Sequence, residues 1–212
     1  SNQYSHAEGY FATSSGRYSH AEGYLSVAEG TAAHAEGSET HALGDYSHAE
    51  GLQTTASNNY SHAEGHLTIA EGNLSHTEGY GSKTTNSYAH AEGNTTLAAG
   101  QYSHAEGRQT HASGIASHAE GNRSKASGNY SHAEGVYATS SGDYSHAEGI
   151  YTVAAGQYSH AEGYGSLASG NASHSEGLFT TASGEYARSI GQLTNASGDY
   201  SFAHGYDTIA QG

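Results

Sequence analysis

The sequence lacks cysteine, methionine, proline and tryptophan, and it has 6 Lys and Arg residues against 21 Asp and Glu. Without cysteine there is no disulfide framework, no thiol chemistry and no zinc–thiolate site. The formal net charge of -15 argues against binding nucleic acid or an anionic membrane through a basic face. No apolar run approaches the ~18 residues of a membrane span, and there is no signal-peptide core. The chain also has no leading methionine, so we expect it to be a segment of a longer protein.

Large apolar residues are scarce as well. Leu, Ile, Val and Phe together make up fewer than one residue in ten. Such a composition with a high net charge is typical of disorder, unless a strict repeat lets identical units share hydrogen bonds and a thin core. Histidine is abundant, and protonation of all 17 would change the net charge from -15 to +2.

The chain is a repeat with a period of fourteen residues. The hexapeptide Tyr-Ser-His-Ala-Glu-Gly first occurs at Tyr4–Gly9 and returns in the same register throughout the chain. A fixed period without a linker or a shift in composition predicts one repeat domain, residues 1–212. The identical copies are Tyr18–Gly23, Tyr46–Gly51, Tyr60–Gly65, Tyr102–Gly107, Tyr130–Gly135, Tyr144–Gly149 and Tyr158–Gly163.

Each fourteen-residue repeat unit consists of two seven-residue halves, called the first and the second seven, in which small and variable residues alternate. In the first unit Ser5, Ala7 and Gly9 are small, and His6 and Glu8 stand between them. Alternation with period two predicts strands, two per unit, whose small residues face inward. The fold class is therefore all-β: a flattened parallel solenoid of about 15 coils with two short strands each.

The second seven ends in glycine in all but two units, where Asn58 and Asn86 stand instead. Asn tolerates positive φ better than other residues with a side chain. The pattern therefore predicts a left-handed or tight-turn backbone at this position.

The outward positions of the two sevens differ in variability. In the first seven they are His and Glu in thirteen consecutive units, from His6 and Glu8 to His174 and Glu176. In the second seven they follow no single chemistry. We infer that the first face meets a copy of itself and that the second meets solvent.

This pattern resembles the head repeats of trimeric autotransporter adhesins, the YadA-like family. The resemblance rests on Ser5 to Gly9 and its copies, on partner halves such as Thr180 to Gly184, and most closely on Ala187 to Gly191. It implies a left-handed parallel β-roll, a homotrimer, and a surface-exposed head that attaches to host cells, matrix or another surface. Repeats of this kind also resemble phage tail fibres, so the alternative is a structural shaft or a receptor-binding segment of a virion fibre.

His and Glu replace the apolar residues of that family, which predicts a polar trimer seam. Each His would donate to a Glu of a neighbouring copy, its pKa raised by the acidic partner. Near the end of the series, apolar rings of Ile190 and Phe202 would close the seam. The predicted seam residues are His20, Glu22, His48, Glu50, His62, Glu64, His104, Glu106, His132, Glu134, His160, Glu162, Ile190 and Phe202.

Two other interpretations of the His and Glu residues remain open. The face could be an ordinary solvated strand surface, although such a surface tolerates more drift between units. Symmetry-related imidazoles could also bind zinc or nickel, but the repeat singles out no layer as a closed site. We expect no metal and no cofactor.

Catalysis is not expected, because Ser19 and His20 are adjacent and must point to opposite sides of their strand. Tyrosine opens eleven of the fifteen units and should stack along one corner. The ligand of the outer surface is left unknown, either protein or glycan. The candidate contact residues at the other corner are Tyr10, Phe11, Tyr24, Tyr137, Tyr151 and Phe179.

Overall fold

The computed structural model describes residues 4–211, which form thirty β-strands and no helix. Long strands of five residues alternate with short strands of two residues along the chain. Within this part of the chain, no helix has the length and apolar character needed to span a bilayer. The chain divides into two compact units, residues 1–107 and 108–212. The expectation of a single domain stays a prediction.

The first unit contains seven pairs of a long and a short strand. They are β1 (His6–Tyr10), β2 (Thr13–Ser14), β3 (His20–Tyr24), β4 (Val27–Ala28), β5 (His34–Ser38), β6 (His41–Ala42), β7 (His48–Leu52), β8 (Thr55–Ala56), β9 (His62–His66), β10 (Ile69–Ala70), β11 (His76–Tyr80), β12 (Lys83–Thr84), β13 (His90–Asn94) and β14 (Leu97–Ala98). Strand β15 (His104–Arg108) contains the last residues of this unit and the first residue of the next.

The second unit continues the same alternation. Its strands are β16 (His111–Ala112), β17 (His118–Asn122), β18 (Lys125–Ala126), β19 (His132–Val136), β20 (Thr139–Ser140), β21 (His146–Ile150), β22 (Val153–Ala154), β23 (His160–Tyr164), β24 (Leu167–Ala168), β25 (His174–Leu178), β26 (Thr181–Ala182), β27 (Arg188–Gln192), β28 (Asn195–Ala196), β29 (Phe202–Tyr206) and β30 (Ile209–Ala210).

Within each unit, every strand pairs in parallel with the corresponding strand of the next coil, fourteen residues along the chain. In the long strands His20 is opposite His34 and Glu22 is opposite Glu36. In the short strands Val27 is opposite His41. The predicted parallel solenoid of fourteen-residue coils is therefore confirmed. The short strands cover only two of the five alternating residues of the second seven.

The interior is made of small side chains, as predicted. Ala21, Ala28 and Ala35 are fully buried, and the largest fully buried side chains are threonines. No Leu, Ile, Val or Phe is buried in residues 4–211. A core this thin is stabilised by dense packing between closely spaced sheets and by the hydrogen bonds between coils.

The corners depend on serine and on residues with positive φ. At one corner the Ser75 hydroxyl donates to the Gly72 carbonyl oxygen at 2.7 Å. In many coils two residues that carry side chains adopt left-handed φ, for example Tyr18 at 61° and Leu25 at 54°. The Leu25 N–H donates to the Tyr10 carbonyl oxygen of the preceding coil at 2.8 Å, so this unusual backbone serves the pairing of coils.

The expectation of a left-handed backbone at Asn58 and Asn86 is wrong, because neither they nor the equivalent glycines have positive φ. A turn does begin here, since the Ser19 N–H donates to the Gly16 carbonyl oxygen at 3.4 Å, but its left-handed residue is Tyr18. Space favours glycine at this position, because a Cβ on Gly30 would lie 1.9 Å from the Gly44 carbonyl oxygen. In a coil with Asn the side chain forms a contact of its own: the Asn86 amide donates to the Ala99 carbonyl oxygen at 2.8 Å.

Candidate functional surfaces

Histidine and glutamate form two outward columns on the long strands. The two side chains of each pair stand two residues apart on the same face, with Nε2 to Oε2 distances of 3.8 Å at His48 and Glu50 and 3.5 Å at His62 and Glu64. The predicted seam histidines and glutamates all lie in these columns: His20, Glu22, His48, Glu50, His62, Glu64, His104, Glu106, His132, Glu134, His160 and Glu162.

The imidazole rings of successive coils stack. Ring centroids are 4.6 Å apart between His62 and His76, and 4.8 Å apart between His132 and His146, with interplanar angles below 10°. Each ring therefore covers one face of the next, and about 35% of the His62 side chain stays accessible to solvent.

Several Nε2 atoms of the histidine column are shielded from solvent and have no hydrogen-bond partner. This holds for His62, His76, His132 and His146 among the described residues. The glutamate oxygen of the same strand is the nearest acceptor, and at 3.7 Å in the pair of His76 and Glu78 it is beyond hydrogen-bond distance. A buried nitrogen without a partner is costly, so the face has unused donor capacity.

In the single chain the histidine pKa is lowered wherever a shift is resolved in the column, whereas the predicted rise, which concerned a Glu of a neighbouring copy, stays a prediction. The pKa of His62 lies below its ordinary value of 6.5, first because burial disfavours the charged form and then because His76 repels it. The carboxylates of Glu64 and Glu50 oppose this shift without overcoming it. The same direction and the same leading cause apply to His34, His48, His76, His146 and His174.

The last two coils replace the charged pairs, as the sequence indicates. Ile190 follows Glu176 in the glutamate column, and Phe202 follows Arg188 in the histidine column. Phe202 is 59% exposed, and its ring lies 6.0 Å from that of His204. Both apolar side chains thus belong to the face that the seam hypothesis needs.

Potential metal ligands also occur in this column. The ligand atoms of His62, Glu64 and His76 lie within 4.8 Å of one another. Parallel stacked rings direct their lone pairs in parallel, so two of them cannot both point at one ion unless a ring rotates. Metal binding therefore stays an alternative that requires a local rearrangement.

A catalytic arrangement of Ser, His and Glu is absent from the long strands of residues 4–211. The Ser75 side chain is buried and bonded to the corner carbonyl of Gly72, on the side of the strand opposite His76. The hydroxyl is therefore separated from the imidazole by the sheet.

The predicted tyrosine stacking is confirmed, in short runs rather than as one ladder. Tyr46 and Tyr60 stack with centroids 5.1 Å apart, and Tyr130, Tyr144 and Tyr158 form a run of three with spacings of 5.0 and 5.2 Å. Ala or Leu interrupts the runs, for example at Ala172. Stacking of this kind stabilises a corner by about 0.5–1.5 kcal/mol per pair.

The second corner carries exposed aromatic side chains that also contact one another. Tyr10 stacks on Tyr24 at 5.3 Å, and Tyr137 stacks on Tyr151 at 5.0 Å. Phe179 is 51% exposed. The sequence predicted these as candidate contact residues, but it gave no sign that they would join into continuous aromatic strips.

Sequence reasoning missed the distribution of positive charge. Arg108, Arg123 and Lys125, half of the Lys and Arg residues of the chain, lie on two consecutive second sevens. The signal was available, because the second sevens from residue 108 to residue 198 contain no Asp or Glu. Counting charge over the whole chain concealed it.

Comparison with known families identifies one repeat. The YadA head domain repeat matches residues 133–159, 161–187 and 182–208. These segments include Glu134 and Glu162 of the predicted seam and the apolar pair Ile190 and Phe202. Among curated proteins, none matches the sequence.

Proposed function

Because the chain contains YadA-like head repeats, which belong to trimeric surface adhesins, we propose that it forms a homotrimeric adhesin head on the outside of a cell. Three copies pack through the His and Glu columns, and the variable face contacts the target. The observation that carries the proposal is the invariance of one face in thirteen consecutive units beside the variability of the other.

The trimer seam is supported by the unpaired nitrogens. Nε2 of His62 is shielded from water, and the carboxylate of Glu64 is only 44% exposed. A neighbouring copy related by a rotation axis would bring a second Glu to the accessible part of each imidazole, about 35% of the side chain at His62. Rotation of the ring towards it would give Nε2 the hydrogen bond that its own strand leaves too long. Repetition of this pairing in each coil sums many weak contacts into a stable assembly.

The apolar coils support the same arrangement. An exposed phenylalanine at the position of a half-buried histidine gains about 1.5–3 kcal/mol when it is buried between copies. Phe202 and Ile190 would therefore close one end of the seam with apolar contacts.

Sedimentation tests the trimer. We expect the wild-type chain to sediment as three copies, and the double variant His62→Ala and His132→Ala to dissociate at a higher concentration. The matched control is His111→Ala, which removes a half-buried histidine from the short-strand face at β16. A wild-type chain that stays monomeric at high micromolar concentration contradicts the seam.

Attachment tests the adhesin. Beads coated with the trimer should bind cultured cells or matrix more strongly than beads coated with a neutral carrier protein. A stable trimer that binds none of a broad set of cells and matrix components would instead identify a spacer, the shaft alternative.

A further inference from the structure

The corner and the short strands at the start of the second unit concentrate positive charge on a chain of net charge -15. Arg108 ends β15, Lys125 begins β18, and Arg123 lies at the corner between coils, where its N–H donates to the Arg108 carbonyl oxygen at 2.8 Å. All three side chains belong to exposed residues. We call this set, with the aromatic residues Tyr137, Tyr151 and Phe179, the cationic–aromatic face.

None of the three cations forms an ion pair within residues 4–211. In the first unit, by contrast, Lys83 lies 2.7 Å from the carboxylate of Glu71. Arg123 donates instead to the Gln109 side chain at 2.7 Å and to the Tyr137 hydroxyl. The guanidinium is thus fixed by neutral groups and keeps its charge available for an anion.

Aromatic rings continue the face from the cations along the same corner. The Arg123 guanidinium lies 5.3 Å from the centre of the Tyr137 ring, which stacks on Tyr151. Tyr164 then contacts Tyr151 edge to face at 6.1 Å, and Phe179 contacts Tyr164 at 5.2 Å. The strip therefore passes over four coils without a break.

A glycine leaves room for the last aromatic ring of the strip. The Phe179 ring lies against Gly165, where a Cβ would stand 2.6 Å from the ring. Gly165 also has φ of 65°, at a position where most coils carry a side chain. The ring therefore occupies space that a side chain at the position of Gly165 would fill.

We propose that the cationic–aromatic face binds an anionic polysaccharide, whose sulfate or carboxylate groups pair with Arg108, Arg123 and Lys125 while its sugar rings lie on Tyr137, Tyr151 and Phe179. The charge complementarity is local, since the chain as a whole repels anions, whereas the second sevens from residue 108 to residue 198 carry Arg and Lys and no Asp or Glu. The inference rests on the proposed adhesin function and names the class of its ligand.

Direct binding measurements on the full chain form the first test. A sulfated glycosaminoglycan such as heparin, the carboxylated hyaluronan, neutral dextran and single-stranded DNA are each immobilised at equal mass. We expect binding to heparin or hyaluronan and none to dextran, and the stronger of the two identifies sulfate or carboxylate as the anion. Equal binding to DNA, or no binding to either anionic polysaccharide, overturns the inference.

Variants separate the two parts of the face. Replacing Arg108, Arg123 and Lys125 by Gln should weaken binding about tenfold or more and reduce its dependence on salt. The control variant replaces Arg17 and Lys83 by Gln in the first unit and should bind within about twofold of wild type. Tyr151→Ala with Phe179→Ala should weaken binding and leave the salt dependence unchanged.

Competition on the unmodified chain covers the case in which a variant fails to fold. Soluble heparin should inhibit attachment of wild-type beads to cells, and enzymatic removal of cell-surface glycosaminoglycans should do the same. Attachment that resists both treatments overturns the proposal of a polysaccharide ligand but agrees with the proposed adhesin function. If wild-type beads do not attach even to untreated cells, the proposed adhesin function itself is contradicted.

Discussion

The imidazole rings of His62 and His76 lie face to face, with 4.6 Å between their centroids and 5° between their planes. Only one ring of such a pair takes up a proton easily, because the second charge would lie directly beside the first. The stack is therefore compatible with neutral histidines, and its stability depends on pH.

Mild acid should destabilise the single chain. A histidine whose pKa is lower in the folded state than the unfolded value of 6.5 takes up its proton more readily in the unfolded chain. The contribution of this neutral histidine to the free energy of unfolding is therefore complete above pH 6.5. It is lost as the pH falls from there through the lower pKa of the folded state. Thermal melts between about pH 8 and pH 5, at low protein concentration, measure the effect.

Two matched outcomes complete the pH experiment. Replacing His62 and His76 by Gln should flatten the dependence of the melting temperature on pH. A melting temperature that rises on acidification and increases with protein concentration would show that a glutamate from a second copy raises the pKa, the direction that the seam hypothesis first suggested.

Thr54→Val should stabilise the first unit by about 1 kcal/mol. Its hydroxyl is fully buried and has no hydrogen-bond partner in the described residues, so valine removes an unmet donor at nearly the same volume. The control is Thr68→Val at the equivalent position of the next coil, where the hydroxyl donates to the Glu64 carbonyl oxygen at 3.1 Å. Denaturant unfolding should show the control to be neutral or less stable, and equal shifts would contradict the argument.

Gly79→Ala and Gly81→Ala should differ sharply, although the two positions are only two residues apart, at the end of β11 and just after it. A Cβ on Gly79 would stand 2.2 Å from the Gly93 carbonyl oxygen at φ of 100°, whereas a Cβ on Gly81 would meet its nearest atom at 3.7 Å at φ of 62°. We expect a loss of more than about 3 kcal/mol at Gly79 and a change within about 1 kcal/mol at Gly81. Chemical denaturation measures both, and a tolerated Gly79→Ala would mean that the coils can separate locally.

Phe202→Asp should weaken the trimer more than His62→Ala. The first change places a charge where the proposed seam ends in apolar side chains, and the second removes one of many equivalent polar contacts. Sedimentation measures the dissociation of both variants. The control is Phe179→Asp, which lies at the second corner and outside the proposed seam. A trimer that is unaffected by Phe202→Asp would place the interface elsewhere.

The sequence predicts the strands well because alternation leaves little choice. Once Ala21 faces the interior, His20 and Glu22 must face out, and a fourteen-residue period sets the register of every pair. The buried alanines and threonines and the exposed His and Glu columns agree with that expectation.

The corners could not be predicted in the same way. Left-handed φ at Leu25 and Tyr46 is unfavourable for each residue alone, and it occurs because the N–H of each must reach a carbonyl oxygen of the preceding coil. Asn58 and Asn86 misled for a related reason. Glycine at this position serves the close approach of coils and not a positive φ, and the two Asn side chains donate instead to a carbonyl oxygen of the next coil.

The sign of the histidine pKa shift was also beyond the sequence. The nearby Glu64 suggests a raised pKa for His62, and that attraction exists. Burial under the stacked ring of His76 outweighs it, and burial becomes known only when the coils are assembled.

The fourteen-residue register has an evolutionary consequence. If residues 137–150 were deleted, Val136 would be followed by Tyr151 instead of Tyr137, and each remaining strand would meet a neighbour of its own kind. Slippage or recombination between near-identical repeats in the gene can therefore add or remove whole coils without disturbing those that remain. The number of coils is therefore free to vary among descendants, while the His and Glu pattern and the register of the strands are inherited unchanged.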